Sequence, residues 1–333
     1  MFESVTVDTT IGELCTKKEL EPFSKYFFTN MTEDVWNRKI GDYGNERCGL
    51  LPAIKRIYEV MEVKSQIIYD VYPNEEWDTE PDKEQVKLIH MPGDPDKPFV
   101  LVCPGGGYAR EWVLVEGYPI AEQLNRMGYS AFILIYRTGQ KKLLPKPLND
   151  IAAALKFLAD HKNEFQIRME GYAMAGFSAG GHLAAVWGIK EKGYEAYGLN
   201  KPAALFLGYP SISTVQFLKD MERATDSERA AAVKYLERIG GEHFTKEDLA
   251  EYSVEYHMDQ DYPPCYLVHS KDDPVVNIEA SCVMQERLKQ FNIMNRVRFM
   301  EQGGHSFGLG NGTELDGWLA DAVRFWERCG NFN

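Results

Sequence analysis

Gly171-Tyr172-Ala173-Met174-Ala175-Gly176-Phe177-Ser178-Ala179-Gly180-Gly181-His182-Leu183-Ala184-Ala185-Val186-Trp187 reads as a short buried strand running straight into an apolar helix. The junction, Gly176 to Gly180, is a G-x-S-x-G sequence. A serine at such a turn is forced into a strained backbone conformation, and the flanking glycines remove side chains that would clash there. The strain lifts the hydroxyl above the edge of a sheet, with a helix N-terminus beneath it. A chance match is the alternative in a chain with 28 glycines, but the strand-turn-helix context argues against it.

A serine hydroxyl is a weak nucleophile and needs a base, an orienting acid and an oxyanion site. Candidates for all three lie along the chain. His305 sits on the glycine-flanked loop Gly303-Gly304-His305-Ser306-Phe307-Gly308, after an expected strand Val297–Met300. Between Ser178 and His305, the strand Cys265-Tyr266-Leu267-Val268-His269 runs into Ser270-Lys271-Asp272-Asp273-Pro274-Val275-Val276. Of the two acids Asp273 is preferred, because the Pro-Val-Val turn beside it should aim it at the site. Asp272 is the fallback, expected as a solvated neighbour. The apolar run Pro98–Cys103 breaks at Pro104 into Gly105-Gly106-Gly107-Tyr108. Backbone N–H groups of Gly106 or Gly107 could approach a developing negative charge, with the N–H of Ala179 as the second donor.

Pro104-Gly105-Gly106-Gly107-Tyr108, Glu116-Gly117-Tyr118-Pro119, Gly176-Phe177-Ser178-Ala179-Gly180-Gly181-His182, Asp272-Asp273-Pro274-Val275-Val276 and Gly304-His305-Ser306-Phe307-Gly308 together resemble the esterases of the acetyl-xylan esterase and feruloyl esterase type of gut and rumen bacteria. The resemblance spans about residues 85–330 and implies an α/β-hydrolase fold, with a mainly parallel central sheet and helices on both faces. By that resemblance Ser178 is the nucleophile, His305 the base and Asp273 the acid. Two departures stand out. Pro104 replaces the histidine of the HGGG motif, and Asn277 stands where many relatives have proline, which blurs the choice between Asp272 and Asp273.

The expected activity is that of a metal-independent, cofactor-free serine carboxylester hydrolase. Its expected substrate is an acetyl or other small acyl ester of a plant-derived oligosaccharide such as a xylo-oligosaccharide. A peptidase or arylformamidase on the same fold is the runner-up. A non-catalytic ligand-binding protein on a hydrolase scaffold is the alternative from a different class.

At 333 residues and 44% hydrophobic content, the chain can bury a large core. A net charge of -13 disfavours nucleic acid and anionic membranes as partners, and favours an uncharged or cationic substrate. The six cysteines show neither zinc nor disulfide spacing, with Cys103 and Cys265 expected as buried thiols. Met1 to Asp8 lacks a basic region and a long apolar run, so a cytoplasmic protein is expected. Self-association is left open.

Residues 1–63 read as a helical N-terminal extension packed on the main domain, and residues 64–333 as the catalytic domain. From Phe99 strand and helix alternate, with helices expected over Val115–Met127 and Leu148–His161. A helical insertion at about 211–260 is longer than an ordinary crossover and reads as a cap over the site, with a surface excursion as the alternative. Tyr108, Trp112 and Tyr209 are candidate walls of a substrate pocket. His182 is expected to be structural below the turn, His269 a strand-end packing residue, and Glu116 and Arg137 either a buried pair supporting the oxyanion loop or an unrelated pair of surface charges.

Overall fold

The computed structural model describes residues 4–330. Its strands are β1 (Ile68–Asp70), β2 (Lys87–Met91), β3 (Lys97–Cys103), β4 (Ala131–Ile135), β5 (Ile167–Phe177), β6 (Ala204–Gly208), β7 (Cys265–Ser270) and β8 (Asn295–Met300). They form one sheet in the order β1-β2-β4-β3-β5-β6-β7-β8. β1 and β2 run antiparallel at one edge, and β4, β3 and β5 to β8 are all parallel. The connection between β1 and β2 carries a helical turn, Asn74–Trp77, and a 3-10 turn, Pro81–Gln85.

Successive side chains on a strand point to opposite faces, so a sheet covered on both sides needs two apolar faces. Val100, Val102, Ile133 and Phe206 pack on one side with Leu50–Val63, Tyr118–Arg126 and the C-terminal helix Trp318–Gly330. Leu101, Cys103, Leu205 and Leu267 pack on the other with Lys146–Asp160, Ser178–Trp187 and Glu279–Gln290. The expected single helix Val115–Met127 is two, Val113–Glu116 and Tyr118–Arg126. Pro119 has no N–H to continue the first helix, so the chain restarts there.

Residues 11–63 form several short helices and one longer one, Leu50–Val63. Ile11, Leu14, Phe27, Phe28, Ile54 and Ile57 are buried in the same core as the first sheet face. Between β6 and β7 lie three helices, Thr214–Asp220, Asp226–Gly240 and Lys246–Ala250. No helix among the described residues is long and apolar enough to cross a membrane.

The expected Glu116–Arg137 pair does not form. Arg137 is fully buried and pairs with the equally buried Asp150, Nη2 to Oδ1 at 2.8 Å. Asp150 Oδ2 also accepts from the Arg137 backbone N–H at 2.9 Å, and Arg137 reaches Glu80 at 3.0 Å. The sequence put Glu116 near the same loop, but Asp150, one helical turn into Lys146–Asp160, lies under β4 where the arginine emerges. Removing one partner of a buried pair strands the other charge. Asp150→Ala is therefore expected to cost about 3–5 kcal/mol in urea unfolding. A change below about 1 kcal/mol would show the guanidinium to be adequately served by its remaining partners.

Two buried histidines add a pH dependence. Burial pushes His90 down to about 3 and His182 down to about 4. Both stay neutral when folded, but unfolded histidine titrates near 6.5. As pH falls below about 6.5 the unfolded chain takes up protons that the folded chain refuses, so this contribution weakens stability on acidification. His90, stacked on Phe132, leaves Nε2 without a partner among the described residues. His90→Phe should flatten the loss of unfolding free energy between about pH 6 and 4, by up to about 1.4 kcal/mol per pH unit. An unchanged slope would mean that the ring takes up its proton while folded.

Candidate active site

β5 ends at Phe177 and the next helix begins at Ser178 with no intervening residue. Ser178 adopts φ 51°, a left-handed conformation that non-glycine residues rarely enter. The geometry is possible because Gly180 presents no side chain: a Cβ there would lie 2.1 Å from the Cys103 carbonyl oxygen at the end of β3. The elbow is thus pressed against the neighbouring strand end, and the serine is turned upward.

His305 reaches Ser178 from the loop after β8. Its Nε2 lies 3.0 Å from Ser178 Oγ, and its Nδ1 lies 2.7 Å from Asp273 Oδ2. Asp273 is held by the turn that follows it: Val275 and Val276 donate their backbone N–H groups to Oδ1 at 2.8 and 2.9 Å. Burial alone would raise the Asp273 pKa. Hydrogen bonds from His269 and His305, with the Val276 N–H, outweigh it and hold the carboxyl well below the ordinary range.

Asp272 is exposed to solvent, as expected of it, but it is not idle. Its Oδ1 accepts from Ser270 Oγ at 2.5 Å and from the backbone N–H groups of Gly303 and Gly304 at 2.9 and 2.8 Å. It ties the end of β7 to the loop that carries His305. His269 likewise does more than pack. Its Nε2 faces two acceptors, Asp273 Oδ2 at 3.1 Å and the Val276 carbonyl at 3.0 Å, so that nitrogen carries the proton. Nδ1 then accepts from Ser281 Oγ at 2.7 Å. The signal in the sequence was His269 and Asp273 spaced four apart across a strand end.

The oxyanion loop is anchored on both sides of the two candidate donor N–H groups. Tyr136 Oη donates to the Pro104 carbonyl at 2.6 Å, and Trp112 N–H to the Gly105 carbonyl at 2.9 Å. Glu116 Oε2 accepts the Gly105 N–H at 2.6 Å, and burial pushes this carboxyl above its ordinary pKa. The N–H groups of Gly106 and Gly107 have no acceptor among the described residues, and both glycines line the same cavity as Ser178 and His305. Ala179 lies in the first turn of its helix, where backbone N–H groups lack intrahelical partners.

The N-terminal segment holds these loops in place. Leu114 N–H donates to the Phe27 carbonyl, Thr29 N–H to the Glu111 carbonyl, and Asn30 Nδ2 to the Ala109 carbonyl. Arg47 Nη1 donates to the Gly303 carbonyl at 3.0 Å. Phe28 and Tyr43 pack edge-on against Trp112 at 5.6 and 5.8 Å.

A cavity of about 1030 Å³ opens over Ser178. Trp112, expected as a wall, lines it, and Phe217, Met221, Tyr235 and Arg238 from the insertion form its other side. Tyr108 and Tyr209 do not line it. Tyr108 is buried and turned beneath its loop at φ 55°, its hydroxyl 2.8 Å from His182 Nδ1. Tyr209 is buried with its ring edge-on to His305 at 4.9 Å, and its hydroxyl accepts the Gly308 N–H. His182 bridges Tyr108 and the Tyr252 carbonyl, 2.7 Å from its Nε2.

The family model described as BD-FAE matches residues 89–288. The chain belongs to that family. It is 26% identical over 305 residues to endo-1,4-beta-xylanase B of Butyrivibrio fibrisolvens, covering 86% of this chain and 44% of the relative. It is 24% identical to the acetylxylan esterase of Xylanibacter ruminicola, covering 72% of this chain and 47% of the relative. The chain thus spans about half the length of the curated relatives it matches. Among solved structures it is similar to the acetyl ester-xyloside bifunctional hydrolase of Caldicellulosiruptor lactoaceticus, with a TM-score of 0.62, 26% identity, and coverage of 74% of this chain and 89% of that one. The fold is that of the α/β-hydrolases.

Labelling of Ser178 by a fluorophosphonate probe reads out the geometry without any assumed substrate. Asp273→Asn should slow labelling on the order of a thousandfold, through the wrong imidazole tautomer and loss of imidazolium stabilisation. Asp272→Ala should slow it by about ten- to hundredfold, since a small displacement of the His305 loop spoils alignment. Equal effects of the two, or a reversed order, would reassign the acid.

Proposed function

We propose that this chain is a serine carboxylester hydrolase that removes acetyl or other small acyl groups from plant-derived oligosaccharides, such as xylo-oligosaccharides. One observation carries the proposal. A serine in a strained elbow, a histidine 3.0 Å from its hydroxyl and a buried carboxylate 2.7 Å behind that histidine open together into one large cavity.

In this reading Ser178 Oγ attacks the ester carbonyl while His305 Nε2 takes its proton. The resulting oxyanion receives hydrogen bonds from the N–H of Ala179 and from Gly106 or Gly107. His305 then passes its proton to the departing alcohol as the C–O bond breaks. Water, deprotonated by the same nitrogen, opens the acyl-enzyme and returns Ser178 to its starting state. Asp273 keeps Nδ1 protonated and stabilises the imidazolium. Gly105 is excluded as a donor because its N–H is already held by Glu116.

The substrate class draws on membership of the BD-FAE family and on relatives named for xylan and acetyl-ester hydrolysis. A cavity of about 1030 Å³ fits it too, being at the upper end of pockets that hold small ligands. All six cysteines are free thiols, in keeping with a reducing, cytoplasmic location.

Assays with p-nitrophenyl esters of increasing acyl length, beside acetylated xylo-oligosaccharides, test the proposal. Acetyl and other short acyl esters should be hydrolysed, and Ser178→Ala should lower turnover by about a thousandfold or more while preserving the fold. Hydrolysis by the Ser178→Ala variant near the unmodified rate would remove the serine mechanism.

A further inference from the structure

The cavity lining mixes charges, with Arg223, Arg238 and Lys271 set among Glu116, Asp220, Glu228 and Asp273. Overall the protein carries -13, which would repel an acidic substrate. Yet Arg223 and Arg238, both in the cavity wall, have no carboxylate within ion-pair distance among the described residues. Half-buried Arg238 uses Nη1 to donate to the Gly107 carbonyl at 3.2 Å, on the same loop residue whose N–H is an oxyanion candidate. A second guanidinium, Arg110, follows on that loop and is likewise without an ion pair. Its N–H donates to the Gly106 carbonyl, and its Nη1 donates to Thr32 Oγ1 at 3.1 Å. The two arginines are close enough to lower the affinity of Arg238 for its own proton, after burial as the main cause.

The acidic side chains nearby are engaged elsewhere. Glu237, next to Arg238, pairs with Lys141 at 3.4 Å. Asp220 accepts from Gln216 and Asn277 at 2.9 and 3.1 Å. Glu228 closes a capping box with Thr225 in the first turn of Asp226–Gly240. Arg238 lies in the last turn of that helix, about 15 Å along the axis from Glu228. That exceeds the screening length of about 8–10 Å at ordinary ionic strength. The helix C-terminus offers Arg238 only about half a negative charge.

We propose that Arg238, in the cavity wall beside the oxyanion loop and with Arg110 adding positive charge behind that loop, forms a carboxylate-binding subsite, so that the preferred ester carries a carboxylate close to the scissile bond. The inference rests on the ester-hydrolase reading and narrows its substrate class. An arginine fork matches a carboxylate with charge-assisted hydrogen bonds, and Arg238 stands beside Gly107 in the same cavity that Ser178 lines. The carboxylate belongs either to a uronic acid on the sugar or to the acyl chain, and these share one recognition chemistry.

Two matched pairs separate the sources. On the sugar side, an acetylated xylo-oligosaccharide bearing a glucuronic acid branch is compared with its carboxyl-reduced counterpart. On the acyl side, p-nitrophenyl hydrogen adipate is compared with p-nitrophenyl hexanoate. In one pair, kcat/KM should favour the acid by about tenfold or more at low salt, with the preference shrinking as salt is added. Arg238→Gln should bring that ratio close to one. A disturbed oxyanion loop would instead slow both members of the pair alike, and Arg110→Gln, which removes the charge behind the loop, gives an independent reduction should Arg238→Gln fold poorly. Calorimetry of the acidic and carboxyl-reduced oligosaccharides, and of adipate and hexanol, on Ser178→Ala measures the same preference without turnover. No hydrolysis of any ester would end the esterase reading, while calorimetry would still decide the subsite. Hydrolysis of all four esters with no acid preference in either pair would overturn the subsite and leave the esterase reading standing. An acid preference that persists in both arginine variants would overturn it too.

Discussion

The contact between the elbow and the end of β3 is the constraint on which the rest of the site depends. With Gly180 lying directly under the Cys103 and Pro104 carbonyls, helix Ser178–Trp187 starts in contact with the neighbouring strand. That contact fixes the height of Ser178, and it also fixes where the chain can leave β3. The oxyanion loop emerges at Pro104 directly above the serine, so nucleophile and candidate oxyanion donors share one anchor. A side chain at Gly105 would meet the Ser178 Cβ at 2.8 Å, which shows how little slack exists between the two.

Asp273 and His305 arrive from the opposite side by a separate chain of contacts. β7 and β8 are paired from Cys265 to Ser270, and the loops at their ends are joined by Asp272. Asp273 faces the histidine while Asp272 faces the backbone. Adjacent residues at a strand end point opposite ways, so the two carboxylates divide the labour: one acts on the imidazole and the other on the loop that carries it. His269 adds a second imidazole to Asp273, which leaves Oδ2 shared between two N–H donors.

Much of this architecture could be read from local sequence. The elbow, the glycine loop and the sheet all announce themselves through short-range patterns: glycine positions, apolar runs and their spacing. What could not be read is side-chain direction over long range. Tyr108 looked like a pocket wall because it adjoins the glycines, but its positive φ turns the ring down onto His182. Tyr209 ends β6 at the right edge, yet its ring fills the space beneath His305. Arg137 was matched to Glu116, whereas its partner Asp150 comes from a helix on the other face of the sheet. Asp272 is exposed as expected, but its role as a tie went unread for a related reason, since its partners Gly303 and Gly304 are some thirty residues away in the chain. Each of these depends on which distant element arrives alongside, which no local pattern records.

The stretch from Phe27 to Arg47 touches both halves of the site and lines none of the cavity. Thr29 and Asn30 brace the oxyanion loop, while Arg47 braces the loop of the base. The glycine loop beside Ser178 and the loop that carries His305 therefore share a common mechanical reference outside the sheet. Variation along this brace would scale the reactivity toward all substrates together, whereas variation in the insertion between β6 and β7 would change which substrate fits. Rate and selectivity are thus separable by segment, and the two can drift or be engineered independently.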